Sequence, residues 1–168
     1  MIMAGPLKLH ARDAEDLEVI AACVQDALVT LGEMMFVPAE KRFVMVVNRF
    51  RWESAGPVPA GEAAAFGADA AFEDERPRPT FERVHAGLCF DSVTTVRMRG
   101  IDARARGRIL ELLGLVASAP AIELIFAGGA SIRLEVEELR CRLEDLDEPW
   151  PTRWRPCHRF DDEGSAEA

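Results

Sequence analysis

The run Arg42-Phe43-Val44-Met45-Val46-Val47-Asn48-Arg49-Phe50-Arg51-Trp52 constrains the fold more than any other stretch of the chain. Its centre is apolar at every position, so a strand formed there meets protein on both faces and belongs in the middle of a sheet. The preceding run, Ala27 to Val37, is also rich in β-forming residues. The turn-like Pro38-Ala39-Glu40-Lys41 between the two predicts a hairpin. A central strand needs a sizeable core around it, and 168 residues at 49% hydrophobic content supply one ordinary domain. No segment approaches the roughly 18 uninterrupted apolar residues of a spanning helix, so no membrane insertion is expected.

The flanking patterns add elements on both sides. Leu7 to Ala11 alternates as a short opening strand. A helix over about Asp13 to Gln25 follows, with Asp13 as N-cap and Leu17, Ile20, Ala21, Val24 and Leu28 as its apolar stripe. Glu15, Asp16 and Glu18 sit where carboxylates suit the positive end of the helix dipole. Phe81 to Phe90 and Ser92 to Ile101 alternate as two strands, with Asp91-Ser92 as the turn between them. Ile109 to Ala117 suits a helix by its leucines and a strand by Gly114 and its short length; strand is preferred. Ala121 to Ala127 and Ser131 to Glu135 flank the hairpin turn Gly128-Gly129-Ala130. Val136, Leu139, Leu143 and Leu146, at steps of three, four and three, predict a C-terminal capping helix ended by Pro149 and Pro151. The expected fold is therefore α+β: a mainly antiparallel sheet of about six to seven strands with an N-terminal and a C-terminal helix. One domain spans residues 1–160 and an acidic tail 161–168. Prolines, glycines and alanines concentrated over about 53–80 mark a flexible insertion.

Charge narrows the partners. The net charge of −9 opposes general binding to nucleic acid or anionic lipid. The start of the chain lacks a basic region followed by a long apolar run, which predicts a cytoplasmic protein. Cys23, Cys89, Cys141 and Cys157 are spaced as neither a disulfide framework nor a zinc site and should be reduced. Cys157 and His158 point to opposite sides of an extended segment, and no His or carboxylate spacing supplies a metal centre. No catalytic set, metal or cofactor is predicted. Against the acidic whole, Arg97 to Arg108 carries five arginines and one aspartate, a local charge of +4. Arg97 and Arg99 share a strand face and can grip a phosphate or carboxylate, guard a strand edge, or pair with the acidic C-terminal helix. Trp150, Trp154 and Phe160, interleaved with Arg153, Arg155 and Arg159, form an aromatic and basic arm that either folds back on the sheet or holds a partner.

Three pieces carry a resemblance. Leu7-Lys8-Leu9 with Asp13-Ala14-Glu15-Asp16-Leu17, then Asn48-Arg49-Phe50-Arg51-Trp52, then Trp154-Arg155-Pro156 resemble an uncharacterised, mainly alphaproteobacterial domain family of unknown function. The likeness covers nearly the full chain outside the insertion and implies a single cytoplasmic domain with no assigned activity. The order of antiparallel strands followed by a C-terminal helix is also similar to the pleckstrin-homology-like architecture. The function expected is a non-enzymatic adaptor or regulatory binding module with a protein partner. The alternative is a small enzyme or binding protein that holds an anionic metabolite with Arg97, Arg99 and the neighbouring Asn48, Arg49 and Arg51.

Overall fold

The computed structural model describes residues 5–55 and 80–156. The expected insertion and acidic tail, together with Cys157, His158, Arg159 and Phe160, lie wholly or mainly outside the described residues. In chain order the elements are β1 (Lys8–Ala11), α1 (Ala14–Cys23), β2 (Ala27–Thr30), β3 (Met34–Val37), β4 (Arg42–Phe50), α2 (Trp52–Ala55), β5 (Phe81–Arg99), β6 (Ile109–Ser118), β7 (Ala121–Phe126), β8 (Ser131–Asp145) and β9 (Trp150–Thr152).

Nine antiparallel strands thus form among the described residues, more than the six or seven expected. Hydrogen bonding runs β8-β7-β6-β2-β4-β5, and β5 pairs in turn with β8, so six strands close a ring. Closure leaves those strands without a free edge and encloses one core. Leu88, Phe90, Leu112, Ile122, Leu124, Ile132, Leu134 and Leu143 meet inside it. The run that most constrained the fold lies within the ring: β4 is paired by β2 and β3 on one side and β5 on the other. Its odd-numbered residues from Phe43 to Arg49 are fully buried and its even-numbered ones half-buried.

α1 begins where the sequence places it. The Asp13 carboxylate accepts the Asp16 N–H at 2.8 Å, satisfying one of the orphan donors of the first turn. Leu17 and Ile20 are buried against a gap in the strand wall, since β1 and β6 are not paired with each other and α1 contacts both. Segment 109–117 is strand, the preferred alternative.

Two expectations are overturned by one distortion. Val136 to Leu146 is not a helix; it continues β8. Asp91-Ser92 is not a turn; β5 runs through it as a single strand of 19 residues. The register between β5 and β8 explains both. From Asp91 to Val93 the β5 chain advances two residues while its partner advances four, from Arg140 to Val136. Ser92 takes the left-handed φ of 60° there, and such a bulge bends a strand without ending it. Inward positions on β8 are therefore Ile132, Leu134 and Val136 on one side of the bulge and Leu139, Cys141 and Leu143 on the other. The three-residue step from Val136 to Leu139, which imitates a helical period, is the bulge itself. With the C-terminal helix gone, the pleckstrin-homology-like expectation loses the element on which it rested. The acidic residues of that segment, Glu137, Glu138, Glu144 and Asp145, all lie on β8.

Candidate functional site

Arg49 and Arg51 leave β4 at the end that leads into α2, and both are consumed internally. The Arg49 side chain has no solvent exposure. Its Nε and one terminal nitrogen donate to the two Asp145 oxygens, each at 2.8 Å. The terminal nitrogens also donate to the Glu53 oxygens at 3.0 and 2.8 Å. Asp145 in turn accepts the Leu7 N–H at 2.9 Å, so one guanidinium ties together β4, α2, β8 and the residue before β1. Burial opposes the Arg49 charge, but the hydrogen bonds and attraction of the two carboxylates outweigh it and hold the group above its ordinary pKa. Arg51 pairs with Glu82 and lies 3.6 Å from Glu53. Asn48 is engaged as well, its carbonyl and side-chain oxygen both accepting from Arg83.

Arg97 and Arg99 lie at the far end of β5. Arg49 faces Val84, and Arg97 lies thirteen positions further along the strand. The structure does not bring the two arginine pairs together, which corrects the idea that they are neighbours around one ligand. Nor do Arg97 and Arg99 meet an acidic helix. Arg97, 70% exposed, reaches Glu135 at 3.8 Å, and its cross-strand partner is another cation, Arg133. Arg133 leans the other way, to Glu123 at 3.4 Å. Around this end of the ring stand Arg104, Arg106 and Arg108 of the β5–β6 connection, all exposed. Arg106 and Arg108 donate to backbone carbonyls, those of Gly32 at 3.3 Å and Gly100 at 3.0 Å. Among the described residues, Arg99, Arg104, Arg106 and Arg108 have no carboxylate within ion-pair distance.

A family model described as a protein of unknown function, DUF2948, matches residues 7–158. The chain belongs to this DUF2948 family. No curated protein and no solved structure matches it. In this DUF2948 domain the aromatic arm folds back for its first part: β9 pairs with Phe81–Arg83 of β5, and Trp150 packs on the His85 ring at 4.6 Å between centroids. His85 Nδ1 is 2.9 Å from an Asp147 oxygen, a contact invisible to spacing arguments. Arg155 lies over Trp52 and Phe81, at 5.6 and 5.7 Å from the ring centres, while Trp154 is 78% exposed. Gly128-Gly129 forms the β7–β8 turn at positive φ, as a hairpin needs, and no helix follows to make a phosphate loop. Cys23, Cys89 and Cys141 are free thiols whose pKa values burial raises. Sequence reasoning missed Glu53, Glu82 and Asp145. Glu53, four residues after Arg49, carried a weak spacing signal, whereas Asp145 is 96 residues away and carried none.

Proposed function

We propose that this DUF2948 domain is a non-enzymatic adaptor or regulatory module that docks a protein on the outer face of β6 and β7. The observation that carries the reading is a row of aliphatic side chains left in water on paired strands. Leu110, Leu112 and Leu115 of β6 are buried, and residues adjacent to them face outward: Ile109 is 64% exposed, Leu113 38% and Val116 45%. Ile125 of β7, 38% exposed, faces Gly114, where no other atom lies within 4 Å of the position a Cβ would take. Apolar area gains about 25 cal/mol per Å² on leaving water, and a contiguous exposed patch is a usual mark of a partner surface. The arginines that a metabolite site would need support this reading by their placement: two are spent on internal carboxylates and the others stand on an exposed end.

The test is purification of the tagged chain from its own cells beside the variant Leu113→Ser/Val116→Ser/Ile125→Ser. The wild type should carry a stoichiometric protein, identified by mass spectrometry, that the folded variant loses. Recovery of the wild type without any stoichiometric protein, or equal recovery with both chains, refutes the proposal.

A further inference from the structure

We propose that the arginine-rich end of the ring, formed by Arg97, Arg99, Arg104, Arg106 and Arg108, is the docking site for an acidic, aliphatic-containing segment of the partner protein. The inference rests on the adaptor reading and names the chemistry of what is bound. Its first support is the missing counter-charge. The chain carries 29 Asp and Glu residues against 20 Lys and Arg, so carboxylates are in excess overall. Elsewhere in the structure Arg42, Arg49, Arg51, Arg140 and Arg142 each reach at least one of them, while Arg12 and Arg83, far apart from each other in the chain, reach none within ion-pair distance among the described residues. At this end four guanidinium groups reach none, and Arg97 stands opposite Arg133, a like-charge pair that destabilises a sheet unless an anion approaches. Three acids stand beside the five arginines in sequence or pairing, Glu33 after Gly32, Asp102 and Glu135, and leave the cluster positive; Asp102 is turned to its own loop, accepting the Arg104 backbone N–H at 3.0 Å.

The second support is that the backbone carrying Arg104, Arg106 and Arg108 is held in place. The Gly32 N–H donates to the Arg106 carbonyl at 2.8 Å, and the Leu31 N–H to the Arg108 carbonyl at 2.9 Å, so the connection is stitched to the end of β2. Arg108 fastens its other side to Gly100. A backbone already fixed in place loses little further freedom when a ligand arrives.

The neighbours decide the class of ligand. Met98, between Arg97 and Arg99, is 41% exposed, and Ile109, next to Arg108, begins the aliphatic row of β6. Single-stranded nucleic acid is gripped by aromatic rings on which its bases stack. Here the exposed apolar groups are aliphatic, whereas Trp52, Trp150 and Trp154 belong to the opposite end of β5. A peptide that alternates carboxylates with leucine-like residues meets both features together. The last described residues lie at that opposite end: Arg155 sits over the Phe81 ring, eighteen residues along β5 from Arg99.

The experiment measures fluorescence anisotropy of a labelled twelve-residue peptide, (Glu-Leu-Glu)4, with the full chain at about 50 and 200 mM salt. Arg99→Gln/Arg104→Gln removes two guanidinium groups whose side chains make no hydrogen bond or ion pair, and Arg12→Gln/Arg153→Gln makes the same charge change elsewhere. The expected result is an affinity weakened about tenfold by the first pair, less than about twofold by the second, and falling with salt. Equal losses in the two variants, equal binding of a peptide with Gln in place of Glu, or tighter binding of a twelve-residue oligothymidylate overturns the proposal. So does a more than threefold gain on deleting residues 161–168, which would assign the site to the chain's own tail. These outcomes do not depend on the β6–β7 variant, so the docking segment and the adaptor reading fail separately.

Discussion

Arg49→Met removes a guanidinium and keeps most of the side-chain volume at a position with no exposure to water. What it leaves behind sets the cost. Asp145, with 3% of its side chain exposed, loses two hydrogen bonds and keeps one from the Leu7 N–H. Glu53, 28% exposed, can turn outward, so its loss contributes about 1 kcal/mol or less. Removing one partner from a buried ion pair costs roughly 3–5 kcal/mol, and the surviving Leu7 hydrogen bond places this site near the lower end, at about 3 kcal/mol. For a chain of this size that corresponds to a fall in Tm of about 6–12 °C. Urea unfolding followed by tryptophan fluorescence reads it, since Trp52 packs 4.6 Å from Phe50 at the same end of β4. Arg49→Met/Asp145→Leu removes the stranded carboxylate and should recover most of the loss. The pH dependence has a definite sign. Burial opposes the Glu53 charge, but the Arg49 hydrogen bond, a backbone N–H and the charges of Arg49 and Arg51 prevail and hold its carboxyl below the ordinary 4.5. Stability from a depressed carboxyl is complete above the unfolded value and disappears as pH falls through the folded one. Arg49→Met should therefore show a shallower acid limb below about pH 4.5 than the wild type. A cost below about 1 kcal/mol, or a double variant no more stable than the single, refutes the assignment of this cluster to stability.

Replacing residues 56–79 with an eight-residue Gly-Ser linker should change stability by about 1 kcal/mol or less, because closure entropy varies slowly with length. Both ends of that segment are pinned by Arg51, which pairs with Glu53 before it and Glu82 after it, and loss of a cooperative thermal transition would falsify this. Cys141 is buried, and desolvation raises its thiol pKa far above neutrality, so maleimide at pH 7 should label it only on unfolding; labelling of the native chain counts against the structure. Gly100 has a φ of 69°, and an added Cβ would lie 3.3 Å from the Ala130 Cα and the Gly129 oxygen. Gly100→Ala should cost about 1–2 kcal/mol by urea denaturation, and an unchanged midpoint refutes the strain.

What the sequence made legible was local. The Asp13 cap, the stripe of Leu17 and Ile20, the Pro38–Lys41 hairpin and the glycine turn before β8 each depend on residues close together in the chain, and each is present. The interior placement of β4 was also readable, because an apolar run without polar interruption has no solvent face to offer. What failed was register. A bulge inserts residues into the two-residue period of a strand, and at Val136 and Leu139 the result has the spacing of a helix. The candidate site shows the same limit. An arginine in Asn48-Arg49-Phe50-Arg51-Trp52 looks the same whether it awaits a ligand or is already held, and the residue that holds it lies 96 positions away. Arg97 and Arg99 were readable as exposed cations because the stretch from Arg97 to Arg108 holds five arginines and a single carboxylate.

The seam between β5 and β8 also governs the order in which the molecule can be made. Synthesis delivers β1 first, yet its only strand partner among the described residues is β8, and Lys8 faces Glu144, 136 positions further along the chain. β5 likewise has nothing on its second side until Ser131 to Asp145 emerges. A nascent chain halted before residue 131 is therefore an open sheet with the long β5 edge exposed, and a chaperone or a neighbouring nascent chain can pair with that edge. Pairings so distant along the chain carry a high contact order, which slows the last step of folding. The ring closes last, and until it does the core that Leu88, Phe90 and Leu143 share has one wall missing.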